Sequence, residues 1–492
     1  MKITKNLELN QILNSKKLLS VFTLFLIVST AFELKAQQYN AKVEYSTYYG
    51  NIGTEDADVV AVDPFGNMYL GSHATSDDLP GVDKHPYKIV GGMDAFIIKL
   101  SQKSGDVDYI YHMGGKDWEA IQGIVSDSMG NIYAIGTTYS SDFPISKDGV
   151  QNKFGGKSDA FVVKLNPEGK ELWSTFLGGI DDEDGRSIII GRNGNIHIVG
   201  RTASQDFIVT DKAIQSKSAG GIDAFVATLN PNGKLLMSTY LGGKGDDIGF
   251  SIDQDDTSQL YIAGTTNSTD FPIKNAFQEN NNGGDDAFFA VIDPTESDIK
   301  LASYLGGKKN ERLYNINFNS SGDIFMSGFT YSLDFPITKD AFQSDLKGGR
   351  DIFITRFNLK NKELSYSTYL GGENEDSPRN LAISKEGIAF IIGFTNSKGF
   401  PTTNEKATNL SEEKDNAFLS IIDQNGMLRL SNLFGGKGDD FFEGIALGQD
   451  GSIIVSGGSN SVDYPFINSI QDKFLGGRFD IIVTRFKLIR EK

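Results

Sequence analysis

The chain repeats itself seven times. A Gly-Gly step after a Ser-Thr-Tyr-Leu-like run recurs at Gly114-Gly115, Gly178-Gly179, Gly242-Gly243, Gly306-Gly307, Gly371-Gly372 and Gly435-Gly436, and the first copy reads Gly50-Asn51. Successive spacings are 64, 64, 64, 64, 65 and 64 residues. A fixed period of this size means one supersecondary unit used again and again, each copy burying its apolar face against the next. It overrides the division into separate domains that 492 residues would otherwise suggest. Whatever all seven copies share serves to build the unit. Whatever differs between them is released from that duty.

One copy read residue by residue predicts four strands. Leu235 to Leu241 runs into Gly242-Gly243 and an acidic turn, Lys244-Gly245-Asp246-Asp247. A run of small and aliphatic residues from Gly249 to Asp253 follows, then Leu260-Tyr261-Ile262-Ala263-Gly264. A long connection holds Ser268-Thr269-Asp270-Phe271-Pro272 and Ala276-Phe277-Gln278, and Asp286 to Ile292 forms the last strand. Short β-rich runs between Gly, Asn, Asp and Pro read as antiparallel strands, and no segment holds a helical period. Turns such as Asp127-Ser128-Met129-Gly130-Asn131 and Asn166-Pro167-Glu168-Gly169 supply the residues tight hairpins need.

Seven four-stranded units in register predict an all-β fold, a seven-bladed β-propeller with four antiparallel strands per blade. The last copy ends with Asp480 to Lys487 and lacks a fourth strand, while Ala41 to Tyr49 stands unpaired at the other end. The expectation is that these two pair and close the ring, removing an open sheet edge.

The first 36 residues stand apart from the repeats. A basic start (Lys2, Lys5, Lys16, Lys17) precedes an apolar run from Leu18 to Phe32 and then Glu33-Leu34-Lys35-Ala36. This is the pattern of a secretory signal peptide over residues 1–36, cleaved before Gln37, with one propeller domain over 37–492. The 15-residue run is short for a membrane span, and no transmembrane span is expected in the mature protein. Five Lys and two Glu lie in the leader, so the mature charge falls from −17 to −20. That balance argues against nucleic acid, whose phosphates call for a basic surface. The absence of cysteine excludes disulfides, thiolate catalysis and Cys-ligated zinc.

These motifs resemble the bacterial β-propeller repeat family known as SBBP. The resemblance rests on Ser238-Thr239-Tyr240-Leu241-Gly242-Gly243, Gly130-Asn131-Ile132-Tyr133, Ser332-Leu333-Asp334-Phe335-Pro336, Ala341-Phe342-Gln343 and Asp159-Ala160-Phe161-Val162-Val163-Lys164-Leu165. It covers residues 41 to 488. Unit six departs mildly, with Gly399 for the turn Asp and Asn416 for the strand Asp. The resemblance implies a propeller in an exported protein, often on the cell surface of Gram-negative bacteria, with no catalytic residues and no defined ligand.

Two sets of positions stand out as candidate sites. An acidic residue follows the second Gly by four positions in every copy: Glu55, Glu119, Glu183, Asp247, Glu311, Asp376 and Asp440. It is placed just before the strand expected to line the axis, and so predicts an acidic ring at one channel mouth. Such a ring could hold a cation, but its sevenfold recurrence favours a structural role, each carboxylate bonding local backbone. Asp181-Asp182-Glu183-Asp184-Gly185 is rich in oxygen ligands yet lacks the EF-hand spacing, so calcium stands as the lesser alternative and no metal site and no cofactor is assigned. The histidines fall at unrelated registers, and no Gly-x-Ser-x-Gly elbow, Walker loop or zincin helix occurs.

The second set varies. Seven residues after the step the copies read Asp58, Gln122, Arg186, Phe250, Tyr314, Arg379 and Glu443, with Trp118 and Arg312 at neighbouring places. Aromatics and Arg are the residue types that anchor interfaces. Trp118, Arg186, Arg312, Tyr314 and Arg379 are therefore the partner-binding candidates, and no residue is assigned a catalytic role. The reading is a non-enzymatic scaffold in the periplasm, at the outer membrane or outside the cell. It would bind an envelope or extracellular protein or glycan, alone or as a subunit of a larger envelope complex. The alternative is a lyase or glycosidase working at the channel mouth, since propellers host both roles.

Overall fold

Alternating β-branched and aromatic residues, punctuated by Gly-containing turns, leave this chain little choice but strands. In the computed structural model, residues 39–490 are described apart from 82, 103, 104, 320 and 404–412. Every regular element among them is a strand, 28 in all, arranged as seven four-stranded antiparallel sheets. Ala41–Ile489 forms one compact unit. The expected leader lies outside the described residues.

Each blade begins at the acidic residue after the glycine step and ends at the next step. In the third blade the inner strand Glu183–Ile190 pairs with Ile196–Thr202, then Asp223–Leu229, then the outer strand Leu235–Leu241. The closure expected from the sequence is present. Tyr39–Tyr49 is the outer strand beside Asp480–Arg490, which pairs with Ser452–Ser459 and then the inner strand Asp440–Leu447. Ser46 Oγ and Thr484 Oγ1 lie 2.9 Å apart across this seam.

The core lies between blades. Val199 and Val226 of the third blade pack with Ile252, Ile262 and Phe288 of the fourth, joined by Phe271 from the Ser-x-Asp-Phe-Pro turn. Phe271 meets Phe288 at 4.5 Å between ring centres, and Phe335 repeats this on Phe353 at 4.4 Å. The turn Asp holds the neighbouring glycine step, as when Lys244 N donates to Asp270 Oδ1 at 2.9 Å.

The long connections have a structural duty that their length alone did not reveal. Each described one in blades two to five and seven runs beside the outer strand of its own blade and bonds to it. In the fifth blade Thr338 N donates to Ser367 O and Tyr369 N to Gln343 O, both at 3.1 Å. Sheet edges that would otherwise stand open are thus occupied.

Candidate functional site

Every inner strand carries a β-bulge at the same place, and the bulged residue is the one that varies between copies. In the third blade the register breaks between Gly185 and Ser187, leaving Arg186 unpaired. The same break isolates Gln122, Phe250, Tyr314, Arg379 and Glu443, and in the first blade the break between Asp56 and Val59 spans Asp58. A bulge re-aims its side chain out of the pleat, and bulges recur beside functional sites for that reason. Here all seven aim into one central cavity of about 370 Å³. Ser187, Ser251, Asn315 and Asn380 complete much of its polar wall.

The rim is built by a second layer of residues, one place after the acidic position, together with their cross-strand partners. Asp56 faces His73, Asp184 faces Arg201 and Arg312 faces Phe329. Asp184 Oδ2 accepts from Arg186 Nη2 at 2.7 Å and from Arg201 Nε at 2.5 Å. Burial opposes the charge on Asp184, but the two guanidinium groups outweigh it and hold the carboxyl below its ordinary range. Arg312 lies over Phe250 at 5.5 Å, Tyr314 at 5.9 Å and Phe329 at 5.8 Å.

On the other side of the cavity three carboxylates gather. Glu443 Oε1 lies 3.2 Å from Arg379 Nε, and His73 Nδ1 lies 3.4 Å from Asp58 Oδ2. Burial raises Asp56 and Glu443 well above the ordinary carboxylate range, helped by the charge of Asp58 on both. Burial works against a charge on His73, but Asp58, Asp56 and Glu443 together push its pKa up to about 9.

Of the five binding candidates, Arg186, Tyr314 and Arg379 line the cavity, and Arg312 touches its aromatic wall. Trp118 does not line it. Its Nε1 donates to Met93 Sδ at 2.9 Å, and its ring lies against Tyr139 and His73 in the seam between the first two blades. The repeat spacing did not single out the rim residues Asp56, His73, Asp184 and Arg201, nor Arg350, whose guanidinium lies 4.7 Å from the centre of the Phe329 ring. A signal existed for Arg201, the varying middle residue of the repeated Gly-x-Thr strand end, at whose place the degenerate first copy reads Ser72-His73-Ala74.

The acidic ring is not open to the channel mouth, as its spacing alone suggested. All seven carboxylates are buried, at 0–1% exposure. Each folds back on the turn before it: Gly115 N donates to Glu119 Oε2 at 2.9 Å, and Gly243 N to Asp247 Oδ2 at 2.7 Å. Hydroxyls one strand away add to this, Thr138 on Glu119 at 2.8 Å and Thr202 on Glu183 at 2.6 Å. Among the described residues no group of three or more His, Asp or Glu is placed to hold a metal ion.

Comparison with known proteins identifies the repeat. Residues 238–272 match the β-propeller repeat model of the SBBP family, and the chain carries that repeat. It is 22% identical over 370 residues to "Regulatory protein FlaEY" of Caulobacter vibrioides, covering 72% of this chain. This chain spans only 38% of that protein's length. Solved structures with a similar outline include BamB from Moraxella catarrhalis (10% identity, 91% of this chain and 100% of that one, TM-score 0.39). Another is a protein of unknown function from Dyadobacter fermentans (11% identity, 73% and 96%, TM-score 0.39).

Proposed function

We propose that this protein is an exported, non-enzymatic binding scaffold that holds a protein or glycan partner of the bacterial envelope at its central cavity. One observation carries the reading: seven bulged residues, one per blade, face one cavity and differ in chemistry while the framework around them repeats. Side chains that vary from blade to blade and converge on one space can be fitted to a ligand without disturbing the repeat, and bulges and aromatic or Arg anchors suit that use. The distant likeness to a protein named as regulatory is in keeping with a role in binding. The cavity carboxylates Asp58 and Glu443 are already engaged by His73 and Arg379, which favours binding over the lyase or glycosidase alternative. The export half of the proposal rests on the composition of residues 1–36 and predicts a mature amino terminus at Gln37, which mass spectrometry reads directly.

The test is recovery of a partner from envelope fractions by the purified protein. Arg186→Ala combined with Tyr314→Ala should leave the fold intact with a cooperative melt, because neither side chain belongs to the repeated framework and Arg201 still pairs with Asp184. It should reduce recovery by about tenfold or more, the effect of losing one or two anchors. Unchanged recovery would remove the cavity from the proposal. Turnover of a polysaccharide or peptide by the purified protein would overturn the scaffold reading altogether.

A further inference from the structure

We infer that the central cavity takes an acidic oligosaccharide, with a sugar ring on the Phe250–Tyr314 wall and the anionic group on the arginines of the rim. The inference rests on the binding reading above and narrows it to one class of ligand.

Charge decides the sign. In order around the cavity the bulged residues read Asp58, Gln122, Arg186, Phe250, Tyr314, Arg379 and Glu443, so one arc is acidic and the facing arc is aromatic between two arginines. On the acidic arc the carboxylates have cations of their own, His73 and Arg379, and burial favours the neutral form of Asp56 and Glu443. Two of that arc's three carboxylates are thus paired with cations, and burial disfavours a charge on the third, Asp56. On the facing arc Arg186 and Arg201 share a single carboxylate oxygen of Asp184. Arg312 has only rings beneath it, with no ion pair among the described residues. Arg350 is matched by Glu375 at 3.3 Å. Two positive charges are thus left over on this arc, in a chain whose net charge is −17. The chain has eleven arginines, none before position 186, and five of them (186, 201, 312, 350 and 379) belong to this site. A guanidinium set among rings presents a planar, two-pronged N–H edge to an anion, as a lysine would not.

Shape and polarity decide the rest. Phe250 and Tyr314 stand edge to face at 5.3 Å and offer an apolar wall within an otherwise polar cavity. Gln122, Ser187, Ser251, Asn315 and Asn380 distribute neutral donors and acceptors around the lining. A hydroxyl-rich ring with one apolar face uses both features. At about 370 Å³ the cavity lies at the small end of ligand sites, large enough for a short saccharide.

Isothermal titration of the purified protein tests this with four trimers: trigalacturonate, its methyl ester, a sulfated galactose trimer and neutral maltotriose. The expected result is 1:1 saturable binding of an acidic trimer, with the ester and maltotriose weaker by about tenfold or more. Preference between the carboxylate and sulfate trimers assigns the anionic group. Arg312→Gln and Tyr314→Ala should each weaken binding about tenfold while the protein keeps its cooperative melt, and Arg312→Lys should fall between Arg and Gln. Equal binding of acidic and neutral trimers overturns the inference. So does no binding of either acidic trimer at about 1 mM, or binding indifferent to both variants. A protein partner whose recovery depends on Arg186 and Tyr314, alongside saccharides that do not bind, rejects the saccharide and leaves the binding function standing.

Discussion

At the scale of single residues, the repeated carboxylates and the varying bulge residues divide the labour. Glu119, Glu183 and their counterparts are spent within their own turns, accepting a backbone N–H and one or two hydroxyls each. Replacing Glu119 and Glu183 by Gln should therefore cost about 1–3 kcal/mol per site, since a donor replaces a buried acceptor oxygen. The loss should be the same with and without calcium, as read by thermal melts. A calcium-dependent rise in the wild-type melting temperature, abolished by these changes, would show a metal role instead. Packing explains the glycine of the step as well. A Cβ on Gly242 would lie 2.2 Å from Asp223 Oδ1 and 2.7 Å from Asp247 Oδ2. Gly242→Ala should thus destabilise by about 1–3 kcal/mol through overpacking, although its backbone conformation is open to any residue.

At the scale of strands and connections, the chain's two ends and its long loops solve one problem, the exposed sheet edge. Tyr39–Tyr49 supplies the outer strand of the last blade, and Thr47 Oγ1 accepts from the backbone of Ile470 and Gln471 at 3.0 Å. Removing residues 39–49 should lower the melting temperature by on the order of 10 °C, because the strand, its seam bonds and the docked connection are lost together. A melt that stays in place would contradict closure through this strand. The number of strands, their order and this closure were legible in the sequence, since the glycine step fixes each strand end and the unpaired ends declare themselves. The bulges were not. A bulge is a local mismatch between two strands, and the hydrophobic pattern that sets their register does not mark which single position is left unpaired.

For the whole molecule, the seams between blades make stability depend on pH. Burial raises Asp159 and Asp480 to about 7, Glu311 to about 7, and Asp247, Asp286 and Asp376 to about 6. Several of these keep a buried oxygen with no hydrogen-bond partner, among them Asp159 Oδ1, Asp247 Oδ1 and Asp480 Oδ1, which leaves a charge there uncompensated. A carboxyl whose folded pKa exceeds its unfolded value stabilises the fold below the unfolded pKa and loses that contribution as pH rises through the folded one. Calorimetry should accordingly give a higher melting temperature at pH 5.5 than at pH 8. The opposite trend would mean that these carboxyls are ionised in the folded protein. By itself the sequence determined the unit, the number of blades, the pairing of the ends and which positions are free to vary, because a repeated unit must bury the same face seven times. Only the tertiary structure decided which of those free positions meet. Closing the ring brings Asp58, Arg186, Tyr314 and Glu443 from four blades around one cavity, draws Arg201 and His73 to its rim across the strands, and leaves Trp118 in a seam. Positions hundreds of residues apart become neighbours through blade packing and register, which no local pattern encodes.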